Sequence, residues 1–127
     1  MYRDRGEDFI IDTGKKKIAL LGSTGSIGLM ALDVMSRYRE LYEVVALAAG
    51  ANIDLLLQQV RIFHPKIVSI RESKYLSELQ QAVDPFHGEA VTGQEGLVRV
   101  AQYPEADMVL SAVSGASGLV PTYEAIL

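Results

Sequence analysis

Residues 17–28 read KIALLGSTGSIG. A short apolar run, Ile18 to Leu21, stops at Gly22, and Gly25 and Gly28 follow at intervals of three. A helix-spaced stretch, LMALDVMSRY, comes next. A strand, a glycine-rich turn and a helix in direct succession make a cradle for phosphate. The turn exposes backbone N–H groups, and the helix N-terminus adds partial positive charge. That context points to the pyrophosphate of a dinucleotide. Gly22 is expected to turn the chain sharply off the strand, where a Cβ would clash. Gly25 lets the backbone approach the pyrophosphate, and Gly28 lets the helix pack closely on the strand. Ser23, Thr24 and Ser26 are expected to add hydroxyl donors. The spacing is GxxGxxG, one residue longer in its first interval than GxGxxG. The plain alternative is a tight βα turn with no ligand. A Walker-type P-loop is disfavoured, because no Gly-Lys-Ser/Thr follows.

The rest of the chain fits one domain of 127 residues, 49% of them hydrophobic. Cysteine is absent, which removes disulfides and thiolate chemistry. A net charge of −4 argues against nucleic acid as the main partner. No apolar stretch approaches a membrane span, and MYRDRGEDFIIDTGKKK mixes both charge signs without a secretory core. These properties lead to the expectation of a soluble cytoplasmic protein. His64 and His87 read as solvated loop histidines rather than metal ligands, since a metal site needs several converging groups.

Residues 1–16 read as a tail and 17–127 as one α/β domain. Strands are expected at 17–21, 42–48, 66–70, 89–92 and 108–112, the last buried by its composition. Helices are expected near 26–37, 53–63, 73–83 and 93–101, with another beginning at Leu119. Ile27, Met30, Ala31, Val34 and Met35 supply an inward stripe for the first helix. Ile53, Leu56, Leu57 and Val60 do so for the second, with Asn52 as its N-cap; Ser73 is expected to cap the third. Tyr38, Tyr42 and Tyr75 read as partly buried packing groups. Strands alternating with helices predict a Rossmann-like, doubly wound, mainly parallel sheet with helices on both faces. Right-handed crossovers then bring the glycine turn, Ala49-Gly50-Ala51-Asn52 and Val113-Ser114-Gly115 to one sheet edge, where open α/β sheets bind ligands.

An NAD-type site places an acid at the end of the second strand to hold the ribose hydroxyls. Residues 46–50 read ALAAG, without a carboxylate, which favours NADP over NAD. Two features pull the other way: no Arg or Lys lies in residues 50–54, and Asp54 falls in the first turn of the helix that follows. Ser117 lacks nucleophile-elbow spacing, and the scattered acids show no pairing for acid–base work. No catalytic or metal-ligating residue is assigned.

LLGSTGSIG (20–28), LDV (32–34), VVALAAGAN (44–52) and AVSGASGLVPTYEAI (112–126) together resemble the N-terminal NADPH-binding domain of the 1-deoxy-D-xylulose 5-phosphate reductoisomerase family. GSTGSIG alone would equally suit an aspartate-semialdehyde dehydrogenase or a sugar epimerase; the combination is more specific. The resemblance implies a parent enzyme that rearranges deoxyxylulose phosphate and reduces the product with NADPH to methylerythritol phosphate, in non-mevalonate isoprenoid synthesis. A divalent metal, Mg or Mn, would act in a catalytic domain outside these residues, and the parent enzyme is implied to be a homodimer. By motif, the resemblance assigns cofactor diphosphate and ribose contacts to Thr24, Gly25, Ser26 and Ile27; Gly22 and Ser23 join the cofactor-binding set from the reading of the turn itself. It assigns the 2′-phosphate end to Gly50, Ala51 and Asn52, and the approach to the nicotinamide to Ala112, Val113 and Ser114. Many family members carry a basic residue where Ala51 stands. The chain is expected to be a fragment that binds cofactor without turnover. The alternatives are a stand-alone NAD(P)-sensing regulatory module and the cofactor domain of a semialdehyde dehydrogenase.

Overall fold

The computed structural model of the chain describes residues 14–113. Strands and helices alternate: β1 (Lys16–Leu21), α1 (Ser26–Arg37), β2 (Tyr42–Ala48), α2 (Ile53–Phe63), β3 (Ile67–Ile70), α3 (Leu76–Val83), β4 (Glu89–Thr92), α4 (Gly93–Ala101) and β5 (Met108–Ser111). The described strands form one sheet in the order β4-β3-β2-β1-β5, and every pairing is parallel. The connections from β1 to β4 step the same way across the sheet, and the last returns past β1. Right-handed crossovers therefore put α1, α2 and α3 on one face and α4 on the other. The core divides accordingly. Leu32, Leu56 and Leu79 of the first three helices pack with Ile18 and Leu20, whereas Val100 and Ala101 of α4 pack with Ala19 and Leu21. Successive residues of β1 thus serve opposite faces, as a strand requires. This is the Rossmann-like α/β arrangement expected from the alternation, and β1 stands where the strand order reverses.

Several local expectations need correction. β1 starts one residue before the strand expected at 17–21: Lys16 opens it, and its N–H donates to the Leu41 carbonyl at 2.8 Å. In α1 the buried residues are Gly28, Leu32 and Met35, with Ala31 at the margin. Ile27, Met30 and Val34 are 61%, 68% and 49% exposed. The helix is apolar almost all round, so periodicity could not select its stripe. Ser73 does not cap a helix directly. It starts a 3₁₀ turn, Ser73–Tyr75, and α3 begins only at Leu76. The tighter i→i+3 bonding satisfies the helix entry without a side-chain cap. β5 is half-exposed rather than buried, because among the described strands it is outermost, with β1 as its neighbour. Tyr38 is exposed as well. The helix expected beyond Leu119 lies outside the described residues.

The β1–α1 turn is held from three sides. The N–H groups of Gly22 and Ser23 both donate to the Ala48 carbonyl, at 2.7 and 3.0 Å, tying the turn to β2. Gly22 has φ +80°, and a Cβ there would stand 2.9 Å from the Ala112 carbonyl carbon, so the chain leaving β5 also packs on it. Gly28 lies directly beneath the turn. A Cβ on it would overlap the Gly22 carbonyl oxygen and come within 2.8 Å of Ser23 Cα. The third support comes from α2, where buried Gln59 donates from Nε2 to the Ser23 carbonyl at 2.8 Å. Ser23 Oγ and Gln59 Oε1 are buried beside this bond without a partner among the described residues.

Two sets of substitutions test this support. Ala at Gly28 gains about 1 kcal/mol of helix propensity, but the overlap is with backbone, which cannot move aside cheaply. Overpacking of this kind costs about 1–3 kcal/mol. Gly28→Ala is therefore expected to lower the urea midpoint; a raised midpoint would show that the helix is not pressed on the turn. Gln59→Leu strands the Ser23 carbonyl and is expected to cost about 1–3 kcal/mol, whereas Ser23→Ala removes an unpaired hydroxyl and is expected to be neutral or stabilising. Equal losses from both would contradict the hydrogen-bond assignment.

Candidate functional site

A cleft of about 550 Å³ opens over the C-terminal ends of β1, β2, β3 and β5. Gly22, Thr24 and Gly25 form one wall, Ala48 to Gly50 the floor beside it, and Ala112 and Val113 the side toward β5. Ser69 of β3 and Arg71 just beyond it, with Gly93, Gln94 and Leu97 of α4, close the far end. The cleft thus sits at the switch point, as open α/β sheets dictate.

The donors are unequally available. Gly22 and Ser23 have spent their N–H groups on Ala48. The first bond of α1 runs from Leu29 N–H to the Gly25 carbonyl at 2.9 Å, so the N–H groups of Ser26 and Ile27 find no acceptor among the described residues. The N-cap is Gly25, which has no side chain to cap them, and the first turn carries no acid. An uncapped helix start of this kind holds an anion through N–H groups and the helix dipole together. Gly25 itself has φ −81°, open to any residue, and a Cβ there would meet only the Gly22 carbonyl oxygen at 3.7 Å. Nothing in the fold requires glycine at that position. Glycine there leaves the outer side of the turn open to a body that approaches it.

The expected residues do not all converge. Gly22, Thr24, Gly25, Gly50, Ala112 and Val113 line the cleft. Ser26 and Ile27 sit exposed on the first turn of α1, and Ala51 and Asn52 are exposed where α2 begins. Asn52 caps α2 as expected, accepting at Oδ1 from Leu55 N–H at 3.0 Å, which leaves its amide NH₂ for a ligand. Ser23 is a correction: its side chain is fully buried and its N–H is spent, so neither its hydroxyl nor its amide faces the cleft. Ser114 lies outside the described residues.

Arg71, Ser69 and the start of α4 went unread in the sequence. The signal for Arg71 is the strand register. Ala48 pairs with Ser69, so two residues further on Arg71 lies beside Gly50, and its N–H donates to the Gly50 carbonyl at 3.0 Å. The Arg71 carbonyl in turn accepts from Gly93 N–H at 3.1 Å, which fixes the entry to α4. Lower down, Arg99 of α4 grips Glu89 of β4 through two bonds of 2.7 and 2.8 Å. Those hydrogen bonds hold the Glu89 carboxyl below the usual carboxylate range. The polar side chains on the cleft wall are Thr24, Ser69, Arg71 and Gln94, with no carboxylate among the described residues. Nor do the described residues contain a group of three or more His, Cys, Asp or Glu that could hold a metal. The arrangement can bind an extended anionic ligand. Among the described lining residues there is no acid–base pair.

Known proteins are similar to this chain in sequence and in fold. The profile of the 1-deoxy-D-xylulose 5-phosphate reductoisomerase family matches residues 18–127. The chloroplastic 1-deoxy-D-xylulose 5-phosphate reductoisomerase of Mentha piperita is 42% identical over 115 residues, which cover 89% of this chain and 24% of that protein. The Synechocystis sp. enzyme of the same name is 45% identical over 114 residues, covering 87% of this chain and 29% of its own. Among solved structures, the reductoisomerase from Zymomonas mobilis in complex with NADPH superposes with a TM-score of 0.80 at 32% identity, over 89% of this chain and 30% of that one. A reductoisomerase in complex with NADPH, fosmidomycin and magnesium superposes at 0.77 and 30% identity, over 87% of this chain and 28% of its own. The 127 residues therefore span roughly a quarter of the length of these relatives. With a family match that runs from β1 to the last residue and a sheet that superposes on solved members, the chain belongs to the 1-deoxy-D-xylulose 5-phosphate reductoisomerase family.

Proposed function

We propose that this chain is the NADPH-binding domain of a 1-deoxy-D-xylulose 5-phosphate reductoisomerase. The whole enzyme would rearrange deoxyxylulose phosphate and reduce the product to 2-C-methyl-D-erythritol 4-phosphate in non-mevalonate isoprenoid synthesis. NADPH would supply the hydride. The observation that carries the reading is the uncapped start of α1 at the switch point, beside a glycine that the fold leaves free. Thr24, Gly25, Ser26 and Ile27 would hold the diphosphate through N–H groups and hydroxyls. Gly50, Ala51 and Asn52 would receive the adenosine end, and Ala112, Val113 and Ser114 would border the path toward the nicotinamide. Gly22 shapes the turn without donating to it.

On this reading residues 17–127 form the cofactor domain, preceded by a tail, and the chain binds cofactor without converting substrate. The divalent metal would act with the substrate in a catalytic domain outside these residues, as the resemblance implies. A cytoplasmic setting and a homodimeric parent enzyme complete the reading, on composition and resemblance. Among the described residues no helix is long and apolar enough to cross a membrane. The family match weighs against a semialdehyde dehydrogenase.

Calorimetric titration of the chain with NADPH tests the reading. Binding is expected, with no consumption of NADPH when deoxyxylulose phosphate and Mg²⁺ are added. Gly25→Val places a branched side chain where only the ligand should be. It is expected to weaken NADPH about tenfold or more, equivalent to ~1.4 kcal/mol, with the melting temperature almost unchanged. Undiminished affinity in Gly25→Val would move the diphosphate away from this turn, and turnover by the isolated chain would refute its role as a binding domain alone.

A further inference from the structure

We infer that Arg71 recognises the 2′-phosphate of the bound dinucleotide and is the residue that selects NADP over NAD in this chain. The inference rests on the reading above, that the cleft holds a nicotinamide adenine dinucleotide. It identifies the cation that residues 50–54 lack.

The geometry is specific to this guanidinium. A diphosphate on the α1 start places the adenosine ribose along the C-terminal end of β2, at Gly50. Arg71 lies against that residue twice. Its N–H bonds the Gly50 carbonyl, and its Nη2 lies so near that a Cβ on Gly50 would stand 3.0 Å from it. Glycine at position 50 thus leaves room for the side chain to lie across the loop. The Arg71 backbone is anchored on its other side by Gly93. Its side chain, by contrast, makes no ion pair or hydrogen bond among the described residues. The neighbouring Glu72 is engaged by Lys74 at 3.5 Å. Arg71 is also the one charged residue on the cleft wall among the described residues.

The ligand chemistry follows from charge. A phosphate monoester carries about −1.5 to −2 at neutral pH and offers three acceptor oxygens. A planar guanidinium matches two of them at once. The neutral diol of NAD gives it no such partner; a carboxylate would, and the cleft wall holds none. Asn52 NH₂ and the start of α2 stand beside the same loop as secondary donors. Asp54 in that first turn opposes an anion, which makes a full cation nearby the more necessary.

The test is calorimetry on the whole chain and on Arg71→Ala and Arg71→Lys, with NADPH, NADH, 2′-AMP and 5′-AMP as probes. The original chain should prefer NADPH to NADH. Arg71→Ala should weaken NADPH and 2′-AMP by ~10–100-fold, the range for a lost hydrogen bond to a charged group. NADH and 5′-AMP should shift less than about twofold, equivalent to ~0.4 kcal/mol. Arg71→Lys should recover part of the NADPH affinity, because it restores charge without the fork. Melting temperatures should agree among the three proteins. Equal losses for NADPH and NADH would overturn the inference in favour of stacking on the adenine ring, and so would an unaffected Arg71→Ala. If the original chain binds neither dinucleotide, the underlying reading fails and takes this one with it. If it binds NADPH but Arg71→Ala discriminates as before, only the present inference fails.

Discussion

The close contact between Gly28 and the carbonyl of Gly22 sets the rest of the molecule's working geometry. Helix α1 is apolar on most of its surface, and hydrophobicity alone leaves its rotation open. Only one rotation brings a residue without a Cβ beneath the turn. That rotation buries Leu32 and Met35 and leaves Ile27, Met30 and Val34 outside. A backbone overlap of this kind is steep and short-ranged, whereas exchanging one apolar face for another changes burial gradually. The steric term therefore decides the orientation, and the exposed stripe is its consequence.

The same turn divides its polar groups into those that build the fold and those left for a ligand. The first two amides beyond β1 are committed to Ala48, and Gln59 takes up the Ser23 carbonyl from below. Rigidity comes from these bonds. The Ser26 and Ile27 amides find no acceptor among the described residues, because Gly25 has no side chain to cap them. Their contribution to holding an anion is of the order of 0.3–1 kcal/mol from the dipole at an exposed terminus. A hydrogen bond to a charged group contributes about 1.5–3 kcal/mol. On the proposed reading the helix start would position a diphosphate that every such dinucleotide shares, while discrimination between similar dinucleotides would fall to a full charge. Arg71 stands at the opposite end of the cleft from that helix start, next to the loop that follows β2.

Much of this was legible in residue order. The alternation of apolar runs with helix-spaced segments gave the parallel sheet, and the resemblance carried by four short motifs gave the family that the comparisons then established. Asn52 capped its helix as read, because capping depends on a side chain and an amide three residues away. Ser73 did not, since a 3₁₀ turn could satisfy the same amides locally. Ser23 read as a phosphate donor by its place in the glycine motif, yet it faces the interior with Gln59. No local pattern separates a turn serine that points out from one that points in.

The chain's sequence by itself determined which segments form strands and helices, and that a glycine-bearing turn joins the first pair. These depend on period, capping and backbone freedom, all of which act over a few residues. Tertiary structure alone decided the face that α1 buries, the exposure of β5 and the arrival of Arg71 beside Gly50. Each depends on contacts between segments distant in the chain: the overlap of Gly28 with Gly22, the place of β5 outside β1, and the register that sets Ser69 opposite Ala48. Register and rotation are fixed only when the sheet assembles, because only then do those backbones meet.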